Sequence, residues 1–286
     1  MPLSAFTDEL GRVLRTDPTA DLVVDRVAVQ TVDDVAVVTL SKPEARNALS
    51  LASWRRLHTV FEQLRGHAGL RAVVVRGAGP DALAAGADIK EFPQTRLGAA
   101  AATDYNESIA RALRAVSAVP APVIASIHGL AVGGGCELAA ACDVRIASTA
   151  ARFGIPIGKL GVTLGYTETS AVARLIGPAE LKYLLFSGEI VPAAEAHRIG
   201  LVQRLTEPGE LTDTVIAFVE RIRAQAPVTI RAAKLVSDMA GRPLTDIDAD
   251  LLSRLHVEAY DGADLREGVA AFSERRSPVF GTKGED

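Results

Sequence analysis

Gly129-Leu-Ala-Val-Gly-Gly-Gly-Cys-Glu-Leu-Ala-Ala-Ala-Cys-Asp143 is the stretch from which the fold is read. Gly133, Gly134 and Gly135 stand directly before Cys136-Glu137 and a small apolar run, Leu138 to Cys142, which predicts the first turns of a buried helix. A glycine cluster that opens a helix leaves backbone N–H groups without acceptors. With the positive end of the helix dipole they can stabilise an oxyanion, a phosphate or a carboxylate. Glu137 falls within a turn of those donors. The same residues have a structural reading, in which glycines permit close approach of two elements and a first-turn glutamate complements the dipole. The stretch alone leaves both open.

The totals narrow the choice. A chain of 286 residues can bury a substantial core, and 48% hydrophobic with 23% charged residues is a globular composition. A net charge of −4 gives no basic surface for nucleic acid and no acidic tail, so small-molecule chemistry is favoured. The two cysteines, Cys136 and Cys142, match neither a disulfide nor a metal motif and read as small core residues of a reducing compartment. Asp8 and Glu9 interrupt the start where a secretory signal needs an apolar run. Pro122 to Ala147, the most apolar window, is broken by glycines and by Glu137, Asp143 and Arg145. A cytoplasmic protein with no membrane span and no metal is expected.

Outward from the glycines, the flanking runs Val123 to His128 and Asp143 to Ser148 predict buried strands. Earlier, Val27 to Val32 and Val35 to Leu40 flank Asp33-Asp34 as a hairpin, Ser50 caps a helix to about Gly66, and Arg71 to Gly77 is a short strand. Ala84-Ala-Gly-Ala-Asp-Ile-Lys-Glu91 fits a capping box of Asp88 with Glu91 and a donor-rich backbone. An alanine-rich stretch from Gln94 to Val119 predicts one long helix. Beyond an irregular segment that ends at Thr167 the pattern is helical, with starts at Thr167, Pro178, Pro192, Pro208 and Pro227 and a last strand near Leu201 to Leu205. Asp264 to Arg276 reads as a terminal amphipathic helix. Residues 1–22, with a short helix over Ser4 to Leu14, are expected to be an extension outside the core. An α/β core over 23–206 and a helical region over 207–286 complete the division.

Taken together, Ala84 to Glu91 and Gly129 to Leu138 closely resemble the crotonase, or enoyl-CoA hydratase/isomerase, superfamily. Further matches are Ser41-Lys-Pro-Glu-Ala-Arg-Asn-Ala-Leu49, Phe153-Gly154, Ser187-Gly188, Ala196 to Val202 and Arg266 to Phe272. The resemblance implies a spiral of ββα repeats followed by a C-terminal helical trimerisation region, assembled as a homotrimer or as a homohexamer of two trimers. It implies an acyl-CoA thioester substrate, coenzyme A entering as part of that substrate rather than as a separate cofactor. The thioester carbonyl would accept hydrogen bonds from the backbone N–H groups of Ala87 and Gly134, an oxyanion hole. Ala87, Asp88, Ile89 and Lys90 would pass along the CoA adenine, and Phe272 and Arg275 would contact CoA from the terminal helix. A solvated helix face is the plainer reading of Arg275.

One position departs from the pattern. Hydratases of this family use a glutamate on the glycine-led helix, matched by Glu137, and a second one twenty residues later, which falls on Ile157. Isoleucine neither donates nor accepts a proton. Glu137 remains a candidate acid or base, because burial raises a carboxyl pKa towards neutrality. Glu168 replaces the missing group only if it turns inward; the ordinary place of a first-turn glutamate is in water. His128 reads as a core group and Asp143 as a structural charge. The function expected is that of an enzyme acting on a 2-enoyl-CoA. The alternatives are an acyl-CoA-binding protein of weak or no turnover, or another crotonase reaction, such as double-bond isomerisation or thioester hydrolysis, with Glu168 or Tyr166 recruited.

Overall fold

The computed structural model describes residues 3–240 and 242–281. The runs of β-branched residues form the hairpin β2 (Val27–Val32) and β3 (Val35–Leu40), preceded by a two-residue β1 (Val23–Val24) that pairs antiparallel with β2. Three strand pairs then follow one plan. β4 (Ala72–Gly77) extends the large sheet and β5 (Ala82–Ala84) starts a small one. β6 (Val123–Ile127) with β7 (Leu130–Val132), and β8 (Val144–Ser148) with β9 (Arg152–Gly154), repeat the step. Neighbours run parallel, β3-β4-β6-β8 in the large sheet and β5-β7-β9 in the small one. Each turn of the chain therefore lays one strand on each sheet and returns through a helix, a spiral of ββα turns. β10 (Val191–Pro192) closes the small sheet against β9, and β11 (Arg204–Thr206) closes the large one beside β8.

The helices begin with α1 (Leu3–Arg15) and α2 (Leu51–Arg65), the latter capped by the Ser50 hydroxyl, which accepts from the Ser53 N–H. The long helix expected from Gln94 to Val119 is instead two, α3 (Phe92–Thr95) and α4 (Ala99–Ser117), because Gly98 between them has φ +86°. α5 (Gly134–Ala141) is the glycine-led helix. α6 (Tyr166–Ser187) changes direction at Gly177, where φ is 76°, so a new helical segment starts at Pro178 as its sequence suggested. α7 (Ala193–Arg198), α8 (Leu211–Arg223), α9 (Pro227–Met239), α10 (Asp246–Asp261) and α11 (Ala263–Glu274) follow. No helix among the described residues is long and apolar enough to cross a membrane.

Continuous apolar strands require cover on both faces. Ala36, Val38, Leu40, Val73 and Val75 face one core with Trp54, Phe61 and Tyr105, while Val35, Val37, Ala72 and Val74 face a second. That second core is supplied by Phe6, Leu10, Val13 and Leu14 of α1 and by Leu211, Val215 and Val219 of α8. Two expectations are corrected here. The segment expected to lie outside the core is part of it, and α8, assigned to the helical appendage, covers the large sheet. Each such side chain contributes about 1.5–3 kcal/mol when fully buried, which α1 obtains only by docking. Buried Arg76 fixes the connection after α1, donating to the carbonyl oxygens of Leu14 and Thr16 and to Asp17.

Candidate active site

The glycine cluster sits where two backbones meet. A methyl group on Gly135 would lie 2.2 Å from the Ala84 carbonyl oxygen, and one on Gly134 would lie 2.8 Å from the Trp54 ring. Only hydrogen fits at either position, so α5 can press its N-terminus against the end of β5, three residues before Ala87. Gly133 accepts from the N–H groups of Cys136 and Glu137, which opens the helix and leaves the Gly134 N–H in its unpaired first turn. On the other side Leu49 donates to the Gly86 carbonyl and accepts from the Asp88 N–H. That isolated bridge passes on either side of Ala87 and does not use its N–H.

Ala87 and Gly134 line one cavity of about 240 Å³, together with Glu137, Ile157, Glu168 and Arg96. Ile157 reaches it from a single 3-10 turn, Ile157–Lys159, and packs against the main core. Glu137 is 4% exposed. Burial, then the charge of Glu168, pushes its carboxyl up to about 8, against the opposing pull of Arg96. Glu168 is 3% exposed and its Oε2 has no hydrogen-bond partner among the described residues. Burial raises its pKa as well. The glutamate whose ordinary place is in water is thus turned inward, folded back beside Gly165 at the start of α6. The sequence held no sign of that turn beyond the glycine itself.

Other expected positions divide. Asp88 caps the turn Ile89–Glu91 through the Lys90 N–H and receives Lys42 Nζ at 2.6 Å, and both contacts hold its carboxyl below the usual range. The capping box is only half formed, because Glu91 reaches across to accept from the Leu51 N–H at 2.6 Å. Ile89 borders the cavity, whereas Lys90 is exposed. Phe272 and Arg275 are exposed on and after α11 and do not line the cavity. Tyr166 is 88% exposed and also lies off the cavity, which removes it as a recruited catalyst. His128 directly follows β6 and lies off the cavity, with its pKa pushed down by burial and by Arg76. Asp143 accepts from the Val123 N–H and from Lys234 Nζ, both at 2.7 Å, a structural charge as read. Cys136 and Cys142 are free and buried, their thiols pushed up to about 12 by burial.

Arg96 was not singled out by the sequence. It lies just beyond α3, where the expected continuous helix is interrupted. Its guanidinium stacks 4.6 Å from the Tyr105 ring centre and 5.1 Å from that of Phe92, and donates to Asn106 Oδ1 at 2.8 Å.

The sequence profile of the enoyl-CoA hydratase/isomerase family matches residues 30–283. The chain belongs to this family. It is 34% identical over 255 residues to the short-chain-enoyl-CoA hydratase of Clostridium acetobutylicum, covering 88% of this chain and 96% of that one. It is 36% identical over 256 residues to the (E)-benzylidenesuccinyl-CoA hydratase of Thauera aromatica, covering 89% and 98%. Among solved structures, an enoyl-CoA hydratase/carnithine racemase from Magnetospirillum magneticum superposes with a TM-score of 0.83 at 37% identity, over 91% of this chain and 97% of that one. The enoyl-CoA hydratase of Bacillus anthracis superposes with a TM-score of 0.82 at 31% identity, over 90% and 100%. These likenesses make the chain a crotonase-fold member of an enzyme family named for acyl-CoA chemistry.

Proposed function

We propose that this enoyl-CoA hydratase/isomerase family member hydrates a 2-enoyl-CoA thioester, with Glu137 and Glu168 as its two carboxyl groups. The observation that carries the reading is that both glutamates line one cavity and that the charge of Glu168 helps to hold Glu137 largely protonated at neutral pH. Ile157 stands where the hydratase pattern has its second glutamate, and Glu168 supplies the missing function from the next helix. The N–H groups of Ala87 and Gly134 donate to the thioester oxygen. They stabilise the enolate more than the ground-state carbonyl, because charge develops there during reaction; one such donor contributes about 3 kcal/mol.

Two buried carboxyl groups that repel one another share a proton rather than ionise together. Glu168, the anionic member, takes a proton from water as the water oxygen bonds to C3 and the C2–C3 π electrons move onto the thioester as an enolate. Glu137, the neutral member, delivers its proton to C2 as the enolate collapses. The products are a 3-hydroxyacyl thioester, a protonated Glu168 and an anionic Glu137, and passage of one proton between the two restores the start. Ala87 to Lys90 run beside the CoA moiety in this reading, and Phe272 and Arg275 contact it from the C-terminal region. The apolar side chains left exposed on the last helices, among them Ile247, Val257, Tyr260 and Val269, support assembly as a trimer or a pair of trimers.

One observation favours a second reading: Ile157 makes that wall of the cavity apolar, and a lone Glu137 could move a proton between C2 and C4 of a 3-enoyl thioester, shifting its double bond. Crotonyl-CoA and a 3-enoyl-CoA offered to wild-type protein and to Glu137→Gln separate the two. The proposal expects loss of the conjugated enoyl absorbance from crotonyl-CoA, reduced about 10²–10⁴-fold in Glu137→Gln. Isomerisation of the 3-enoyl thioester without hydration would establish the second reading, and tight thioester binding without any turnover would overturn both.

A further inference from the structure

Arg96 makes no direct ion pair among the described residues, although Glu137 and Glu168 across the same, otherwise largely apolar, cavity feel its charge. Among the described residues no acid lies within ion-pair distance of it; its one hydrogen-bond acceptor is the neutral amide of Asn106, at 2.8 Å through Nη2. Tyr105 and Phe92 grip the guanidinium plane, so its position is fixed before any ligand arrives. Nε, Nη1 and the second N–H of Nη2 remain as donors, enough for a two-bond edge that includes Nη2. The charges around the cavity leave a positive excess, because Arg96 and Lys159 face it while Glu137 is held largely neutral and Glu168 supplies one negative charge.

A purely hydrocarbon acyl chain suits such a cavity poorly. Filling it with methylenes strips water from the guanidinium and returns no hydrogen bond, a cost that grows with the dryness of the site. An acyl group ending in a carboxylate replaces that water with two charge-assisted hydrogen bonds in the planar geometry arginine favours. We infer that Arg96, with Asn106 holding it, forms a carboxylate-binding subsite in the acyl cavity, so that the thioester this protein takes carries a second, anionic group on its acyl moiety. The inference rests on the reading of the cavity as an acyl-CoA site, but not on which reaction follows.

Binding of saturated thioesters tests it without requiring turnover. Butyryl-CoA is compared with succinyl-CoA by titration calorimetry, and longer methyl-terminated acyl-CoAs with their carboxyl-terminated counterparts of equal length. At one length or more, wild-type protein should prefer the carboxylate by about 10- to 100-fold, the value of a charge-assisted pair. That ratio should fall to about one in Arg96→Met and be partly kept in Arg96→Lys, which retains the charge but not the fork. The ratio within one variant is insensitive to any general loss of affinity or of folded protein. Binding of both series without discrimination by wild-type protein, or a preference that survives in Arg96→Met, overturns the subsite alone. Failure of every thioester to bind overturns the acyl-CoA reading and the subsite with it.

Discussion

Glu168→Gln removes one negative charge from the cavity while keeping the side chain's size and its ability to hydrogen-bond. Raising Glu137 from 4.5 to about 8 corresponds to roughly 5 kcal/mol of bias against its carboxylate. Burial is the larger cause and Glu168 the second, so Glu168 accounts for less than half of the upward push that Arg96 opposes. Removing a like charge makes ionisation easier. The midpoint of Glu137 should therefore move down by about one pH unit, and stay above the ordinary range because the desolvation is untouched. Infrared titration of the carboxyl C=O stretch follows this directly, with Glu137→Gln identifying the band. Arg96→Met should move the same midpoint upward, since Arg96 is the group that opposes the other two. An unchanged or raised midpoint in Glu168→Gln would refute the electrostatic coupling on which the shared proton depends.

Two further outcomes follow from the same structure. Because Glu137 keeps a proton that the unfolded chain releases, its contribution to stability is complete below pH 4.5 and is lost as pH rises to about 8, by up to roughly 5 kcal/mol; Glu137→Gln should flatten this decline, read as urea midpoints at pH 5 and pH 8. Phe6→Ala should cost about 3–5 kcal/mol in chemical denaturation, since Phe6 is 0% exposed in the second core; a helix lying outside the core would lose less than about 0.5 kcal/mol.

Much of the fold was legible because its signals are local. The hairpin at Asp33-Asp34, the Ser50 cap and the parallel runs at Val73, Val123 and Val144 announce themselves through β-branched residues, a hydroxyl and bounded apolar stretches. The small sheet did not, since three-residue strands such as Ala82–Ala84 are too short to show a period. α1 misled for a different reason. Its Phe6, Leu10 and Leu14 are an ordinary amphipathic stripe, and only the second face of the sheet, buried at Val35, Val37 and Val74, gives that stripe a partner.

The candidate site was legible where backbone chemistry dominates and opaque where side-chain direction decides. Glycines at Gly134 and Gly135 are forced by contacts at 2.8 Å and 2.2 Å, so they mark the place in any reading. Whether Glu168 faces water or a cavity depends on the path of the segment from Pro156 to Gly165, which no periodicity encodes. Arg96 was hidden for a similar reason: only the break at Gly98 places it between Phe92 and Tyr105 over the cavity.

In the proposed hydration Glu168 provides, from the start of α6, the second carboxyl that Ile157 does not. Initial rates of crotonyl-CoA hydration in Glu168→Gln and in Glu168→Gln combined with Ile157→Glu test it most directly. A loss of about 10²-fold or more is expected in the single variant, with recovery of a substantial part in the double variant, where the carboxyl is restored from the other wall. Unimpaired hydration in Glu168→Gln would contradict it.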